Sequence, residues 1–511
     1  MAKNKKGAAS RFIPGSGIAR HREWRGLKDT WYDYTEWVKI LGIMGAFVAK
    51  APMRIMRGML EYRWFGSYLA AINMTDKCVE GLRGPALRAA RIHLNTIMKG
   101  STTQIANMMK GDRRFGENDF SNRLVLLEQT MAPEILAGFP DLLPMQLEAF
   151  QGLLGCYMDQ NLNPHYIDAM ESVGLPSDSC RLSNNAAGVA ILDDYPQIGA
   201  CLLINNMPCD SSTMNSQLID RRLKVPSMPV DIPMRWEDRD VDRFAIAHLR
   251  DAIAFVEQHT GKKYDWDAAR KVLERHNDEV RNELEKWNYM ATDYCPLGLT
   301  ASSLFHAYYF TFSGGRDKNV MKAEKKVMKL IEEAYENKTN CFPKARHRAI
   351  LWGGPACYWL QFANWLYNCW GILVVAQMDN FSGNVIIDTT SEDSMLDGIA
   401  RNYETGIMRR HLTGGWQHTV EFWEEAEKFH CDMVIMNDDI TCKGALGLTG
   451  VIMDQAREKN IAFTMVSNDM FDHRTISRQD MRKEINDFMI TVMQEEPLDA
   501  SLMEFDDSKG W

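Results

Sequence analysis

The chain has 511 residues, with 59 Lys or Arg against 68 Asp or Glu and a formal net charge of -9. That length implies several domains rather than one core, and a content of 45% hydrophobic and 25% charged residues is that of an ordinary globular protein. The acidic balance excludes a general nucleic-acid binder, which carries a basic footprint.

Residues 1–25 run against this average, with seven Lys or Arg (Lys3, Lys5, Lys6, Arg11, Arg20, Arg22, Arg25) and one Glu. No apolar run follows, so the segment reads as a solvated arm rather than a secretory signal, and a cytoplasmic location is expected. From residue 26 to about 120 the pattern is helical: Ile40, Ile43, Met44, Phe47 and Ala51 keep helical spacing, as do Leu87, Ala90, Leu94 and Ile97. The arm and this helical region make up an N-terminal unit, 1–120.

A first α/β domain is expected over 121–342. Leu124-Val125-Leu126-Leu127 and Leu202-Leu203-Ile204 read as strands, and a charged helical insertion over 241–289 is broken at Thr260-Gly261-Lys262-Lys263. Cys341-Phe342-Pro343-Lys344 reads as a linker into a second domain, 343–495. There, strands at 349–352, 372–376, 433–436 and 462–466 alternate with helices at 358–370, 448–459 and 476–493. Residues 496–511 read as an acidic tail. The alternation predicts the α/β class, with two doubly wound parallel-sheet domains behind a helical N-terminal region. No run reaches the ~20 apolar residues of a membrane span: 40–49 stops at Lys50, and 357–378 is interrupted by Gln361, Asn364 and Asn368.

The chain has 11 cysteines. An odd count with no export signal points to thiols in a reducing compartment. There is no CxxC, HExxH or GxxxxGK[ST], so no zinc ribbon, zincin or phosphate loop. Ligands of parallel sheets sit at the carboxyl ends of strands. Cys209 follows one such strand, in Asn206-Met207-Pro208-Cys209-Asp210, and Cys442 another, in Asp438-Asp439-Ile440-Thr441-Cys442-Lys443-Gly444. Cys180 lies in a turn before a helix, in Pro176-Ser177-Asp178-Ser179-Cys180-Arg181. Cys357 and Cys369 instead fall on an aromatic helix face. Three soft thiolates suit zinc or an iron–sulfur cluster, and spacing does not choose between them. Cys431 precedes its strand, which favours Cys442 as the third member.

Other residues near these positions have structural readings as well. Ser177 and Asp178 read as helix caps, Glu134 after Pro133 as a helix-start carboxylate, and Lys443 as a solvated cation. Gly444-Ala445-Leu446-Gly447-Leu448-Thr449-Gly450 is not GxGxxG; it reads as a backbone loop opening a helix.

In order along the chain, several passages resemble the 2-hydroxyacyl-CoA dehydratase and benzoyl-CoA reductase family, over about 123–495. Glu128-Gln129-Thr130-Met131-Ala132-Pro133-Glu134-Ile135-Leu136 resembles the family's Pro-Glu-Glu-Leu segment. Ser177-Asp178-Ser179-Cys180 and Pro208-Cys209-Asp210 resemble its first two cluster cysteines. Thr260-Gly261-Lys262 with Asn277 resembles its helical segment, and the passage from Asp432 to Lys443 the approach to its third cysteine. The family's Phe-Cys-Asp-Pro is Thr441-Cys442-Lys443-Gly444 here, and its Gly-Gln-Thr-Arg has only Arg478, Gln479 and Arg482 at looser spacing.

The resemblance implies a [4Fe-4S] cluster held by Cys180, Cys209 and Cys442 between two domains, with Glu134 as the nearby carboxylate. It implies the larger, substrate-binding subunit of a dehydratase that removes water from a 2-hydroxyacyl-CoA through a ketyl radical, giving a 2-enoyl-CoA. Implied partners are a related second iron–sulfur subunit and a separate ATP-dependent iron–sulfur activator. A benzoyl-CoA-type reductase subunit and a non-catalytic scaffold or electron relay are the alternatives.

Overall fold

The structure is a computed structural model describing residues 25–128, 131–147, 149–205, 209–233, 239–308, 313–377, 383–406 and 416–504. The basic arm through residue 24, residues 129–130, 206–208 before Cys209, and the end of the acidic tail at 505–511 lie outside the described residues.

Eight strands form two four-stranded sheets. The first holds β1 (Leu124–Leu127), β2 (Leu143–Gln146), β3 (Cys201–Asn205) and β4 (Ser227–Val230) in the order β2-β1-β3-β4. The second holds β5 (His347–Trp352), β6 (Ile372–Gln377), β7 (Met433–Asp439) and β8 (Ala462–Asn468) in the order β6-β5-β7-β8. Every pairing is parallel. The protein is thus α/β, with two doubly wound sheets of identical strand order behind a helical N-terminal region. In each sheet the chain reverses direction between the first and third strands, and ligands settle at the carboxyl side of that switch point.

The strands are apolar throughout because both faces are covered. In β1, Val125 and Leu127 enter one core cluster and Leu124 and Leu126 the opposite one. In β5, Ala349 and Leu351 face one cluster and Ile350 and Trp352 the other. Buried parallel strands read as continuous apolar runs for this reason.

Two strands escaped the sequence reading. β2 is Leu-Pro-Met-Gln and β4 Ser-Met-Pro-Val, each short and each containing a proline (Pro144, Pro229). Both lie at sheet edges, where a residue without an N–H is tolerated.

In the helical N-terminal region, the Leu27–Lys50 helix packs Ile40 and Phe47 inward, and the 28-residue Gly84–Gly111 helix is buried along much of its length. Arg91 of the latter is fully buried and pairs with Asp33 and Asp76, each at 2.7 Å. The helical insertion resolves into Arg239–Thr260 and Trp266–Met290, divided at Gly261, whose φ of 68° ends the first helix.

The excursion between β6 and β7 divides: its Trp416–Lys428 helix packs on the second sheet through Phe422 and Ala426, but its earlier part packs on the first. Ile387, Met395, Leu396, Ile399 and Tyr403 join the core that contains Val125, Leu127 and Leu203. Asn277 fixes this crossing: its Nδ2 donates to the Ile387 carbonyl and its Oδ1 accepts from the Ile387 N–H, each at 2.7 Å.

Candidate functional site

Each of the three cysteines singled out by the sequence is the N-cap residue of a helix. Cys180 precedes Arg181–Ile191, Cys209 precedes Asp210–Leu223, and Cys442 precedes Lys443–Glu458. The last helix starts five residues before the expected 448. The anticipated glycine loop at 444–450 is therefore the helix's first two turns, and Gly447 and Gly450 face open space. Helix starts present unpaired N–H groups and the positive end of the helix dipole, a favourable setting for anionic sulfur. At Cys209 the Ser212 N–H points at Sγ, 3.5 Å away.

The three thiols share one electrostatic neighbourhood. Burial pushes the Cys180 thiol up, and the charges of Cys209, Cys442 and Asp439 push it further. Burial likewise raises Cys442 to about 11, with Asp439 and Cys209 adding to the shift. Cys431 stands apart: it is buried in the second-sheet core, and its charged neighbours are Arg348 and Asp432. Among the described residues, no three His, Cys, Asp or Glu are grouped to hold a single metal ion.

Several buried polar groups surround the trio. Asp439, at the end of β7, is raised by burial to about 6; Thr441 donates to its Oδ1 from both N–H and hydroxyl. Asp439 Oδ2 and both side-chain polar atoms of Asn437 are buried with no hydrogen-bond partner among the described residues. Arg181, next to Cys180, donates to buried Asp469 at 3.0 Å and to Glu171, tying the first domain to the loop after β8. Gly353, after β5, has a φ of 88°, and a Cβ there would lie 2.2 Å from the Asn437 carbonyl oxygen. Only glycine fits that approach.

The remaining candidates fall as follows. Ser177 and Asp178 do not cap the helix; Ser179 donates to the Pro176 carbonyl and lies within hydrogen-bond distance of Asn184. Lys443 pairs with Asp178 at 3.3 Å, both mostly exposed, so this link between two cysteine-bearing segments is weak. Cys357 is not on a helix face: the helix begins at Phe362, and Cys357 packs with Cys180, Leu182 and Phe471.

Glu134 lies in the turn after β1, fully buried. Its Oε1 is 3.2 Å from Nδ1 of His276, also buried, and neither oxygen has an aligned hydrogen bond among the described residues. His276 Nε2 faces the Val385 carbonyl at 3.1 Å. A carbonyl only accepts, so Nε2 carries a proton. Glu134 and His276 thus form a buried carboxylate–imidazole pair. Glu128, which the sequence marks only as the first residue of the 128–136 segment, is a carboxylate touching the Cys209 turn: Ser212 Oγ donates to it at 2.7 Å.

A cleft abuts Cys357. Tyr157, Thr300, Ser303, Trp359, Phe362 and Gln377 are among its walls, and it encloses about 560 Å³ including its open mouth. Ser303 Oγ is buried without a hydrogen-bond partner among the described residues. Tyr157 belongs to both the cleft wall and the cluster packed around Cys180. An apolar cleft with a few inward polar groups is the usual form of a small-molecule site.

The family profile described as 2-hydroxyglutaryl-CoA dehydratase, D-component, matches residues 129–489. The chain belongs to this family. The D-component match begins just after β1, covers the other seven strands and all three cysteines, and leaves out the helical N-terminal region. A curated relative, the "(R)-phenyllactyl-CoA dehydratase alpha subunit" of Clostridium sporogenes, is 23% identical over 209 residues, 39% of this chain. The chain spans about half the length of that relative (49%). No helix among the described residues is long and apolar enough to cross a membrane.

The donor set fits an iron–sulfur group. A buried thiol and two half-buried ones, with Cys180 opposed by the charges of Cys209 and Cys442, are a poor arrangement on their own and a good one around cationic iron. The helix starts beneath them and the unpartnered atoms of Asn437 and Asp439 are consistent with a polar group seated there.

Proposed function

We propose that this D-component is the substrate-binding, iron–sulfur subunit of a 2-hydroxyacyl-CoA dehydratase. The observation that carries the reading is the trio of N-cap cysteines, drawn from two sheets of the same topology into one electrostatic neighbourhood. Cys180, Cys209 and Cys442 would hold a [4Fe-4S] cluster, which when bound supplies one-electron chemistry and an iron without a protein thiolate.

The reaction breaks the C2–O and C3–H bonds of a 2-hydroxyacyl-CoA, forms the C2=C3 bond, and releases water. Electrons balance without an oxidant, because the single electron that activates the thioester as a ketyl is returned at the end. The chain's own residues bind, orient and move protons. The apolar cleft takes the acyl part and excludes water. Ser303 Oγ is the unpaired hydroxyl that meets a polar atom of the thioester. Glu134, a buried carboxylate beside His276, accepts the C3 proton.

In this reading, electrons come from a separate ATP-dependent iron–sulfur activator, and a related second iron–sulfur subunit completes the enzyme. The test is anaerobic assay of the chain with both partners against a panel of 2-hydroxyacyl-CoA thioesters, phenyllactyl-CoA among them, with products weighed by mass spectrometry. Loss of one water with no net reduction supports the dehydratase. Products gaining two hydrogens would replace it with a reductase of the benzoyl-CoA type. A loaded cluster without turnover on any thioester would leave a scaffold or electron relay.

A further inference from the structure

The Leu27–Lys50 helix has two apolar faces. Ile40 and Phe47, on one, are buried within the N-terminal region. The other is exposed among the described residues: Leu27 is 79% exposed, Trp31 74%, Tyr34 45%, Val38 59%, Leu41 42% and Val48 38%. With the exposed Gly45 among them, these residues stand at 27, 31, 34, 38, 41, 45 and 48, in steps alternating between four and three. That is heptad spacing, which keeps a narrow stripe turned toward a partner helix along its whole length.

Two glycines on the solvent side of this helix have no packing reason among the described residues. A Cβ added at Gly42 or Gly45 would meet nothing within 4 Å. Glycine inside a helix costs about 1 kcal/mol relative to alanine, and no turn or packed neighbour here requires it. Close approach of a second backbone does. The exposed Ala46 and Ala49 extend the same low surface.

We propose that a second copy of this chain covers this face, the two Leu27–Lys50 helices lying antiparallel about a two-fold axis near Lys39–Ile40. In that register Trp31 stands opposite Val48, Tyr34 opposite Gly45, and Val38 opposite Leu41. The bulky half of each helix meets the small half of the other. A parallel pairing would set Trp31 on Trp31 and leave a gap at Gly45. The antiparallel stripe is self-complementary, as a two-fold interface must be.

The area is sufficient. The following Pro52–Glu61 helix adds Met53, 65% exposed, Met56, 57%, and Leu60, 89%. With the stripe, these expose on the order of 1,000 Å² of apolar side chain, against a few hundred on an ordinary monomer and about 800 Å² per partner in a standard interface. The face lies outside residues 129–489, so the proposal is independent of the dehydratase reading. It leaves the cysteine-bearing sheets free for other proteins.

The test is sedimentation velocity on the anaerobically purified full chain across micromolar concentrations, beside a Val38→Glu/Leu41→Glu variant and a Gly45→Leu variant. The wild type is expected at twice its chain mass of 58.5 kDa. Both variants should self-associate at least tenfold more weakly, with thermal midpoints no lower than that of wild-type monomer, since Val38, Leu41 and Gly45 stand exposed on the helix surface. A wild type that stays monomeric overturns the proposal, as does a dimer indifferent to both variants. A monomer that floats with phospholipid vesicles through this face assigns the face to a membrane surface instead. A monomer that buries the stripe only when co-expressed with a different subunit assigns it to that subunit.

Discussion

Cys209 and Cys442 occupy equivalent positions in the two halves of the molecule. Each follows the third strand of a sheet with the same strand order, and each is the N-cap of the helix that leaves that strand. Cys180 has no such counterpart; it caps the helix that leads into β3 and completes the trio from the side. The site therefore rests on a duplicated device plus one added residue. Rigid strand ends fix its position, as a site built on scaffold elements requires.

Glu134→Gln should lower the dehydration rate by about 10²- to 10⁴-fold, the usual worth of a positioned acid–base group. Iron content should stay at the wild-type level, because Glu134 pairs with His276 rather than with a cysteine. Single-turnover assays with deuterium at C3 check this: the substitution should slow exchange of that hydrogen more than it weakens acyl-CoA binding. Unchanged exchange would remove Glu134 from proton transfer.

Gly188 and Gly447 sit in two of the cysteine-capped helices and should respond in opposite ways to alanine. At Gly188 a Cβ would lie 2.0 Å from the Tyr166 carbonyl oxygen, forcing apart the helices that seat Cys180. Gly188→Ala should destabilise the protein by about 1–3 kcal/mol, as overpacking does, and loosen iron retention. At Gly447 the space is open, so Gly447→Ala should raise stability by about 0.5–1 kcal/mol. Thermal midpoints and iron retention during dialysis separate the two.

His347 should give the protein a pH-dependent stability. A hydrogen bond to Asp432 holds its pKa above the usual value; burial opposes this, and Glu495 on the other ring nitrogen adds to the rise. A histidine that binds its proton more tightly when folded contributes fully below its unfolded pKa of about 6.5 and loses that contribution as pH climbs through the raised folded value. The wild-type thermal midpoint should therefore fall more steeply than that of His347→Gln from about pH 6 to pH 8. Parallel curves would show that the contacts of His347 with Asp432 and Glu495 carry no linkage.

Much of this arrangement was legible in the sequence. Apolar runs such as 124–127 and 433–436 announced the inner strands because parallel strands are covered on both faces. The position of Cys209 and Cys442 beyond strand ends singled them out. What stayed hidden had physical reasons. β2 and β4 carry prolines that only an edge tolerates. The helix after Cys442 starts early because three glycines masked its first turns, and Cys357 was misplaced because aromatic spacing imitated a helix that begins five residues later. The attachment of 392–404 to the first sheet, and the pairing of Glu134 with His276, join segments far apart in the chain and leave no local pattern.

The central claim is tested most directly by iron and sulfide analysis of the anaerobically purified chain with Cys180, Cys209 and Cys442 each changed to Ala, beside Cys369→Ala as the control. Cys369 is buried in the second-sheet core with its thiol near the Asp499 carbonyl; Cys357, which packs against Cys180, is unsuitable. The account predicts about four irons per chain, kept in Cys369→Ala and lost in each of the other three. Iron that survives in any of the three, or zinc in its place, would contradict it.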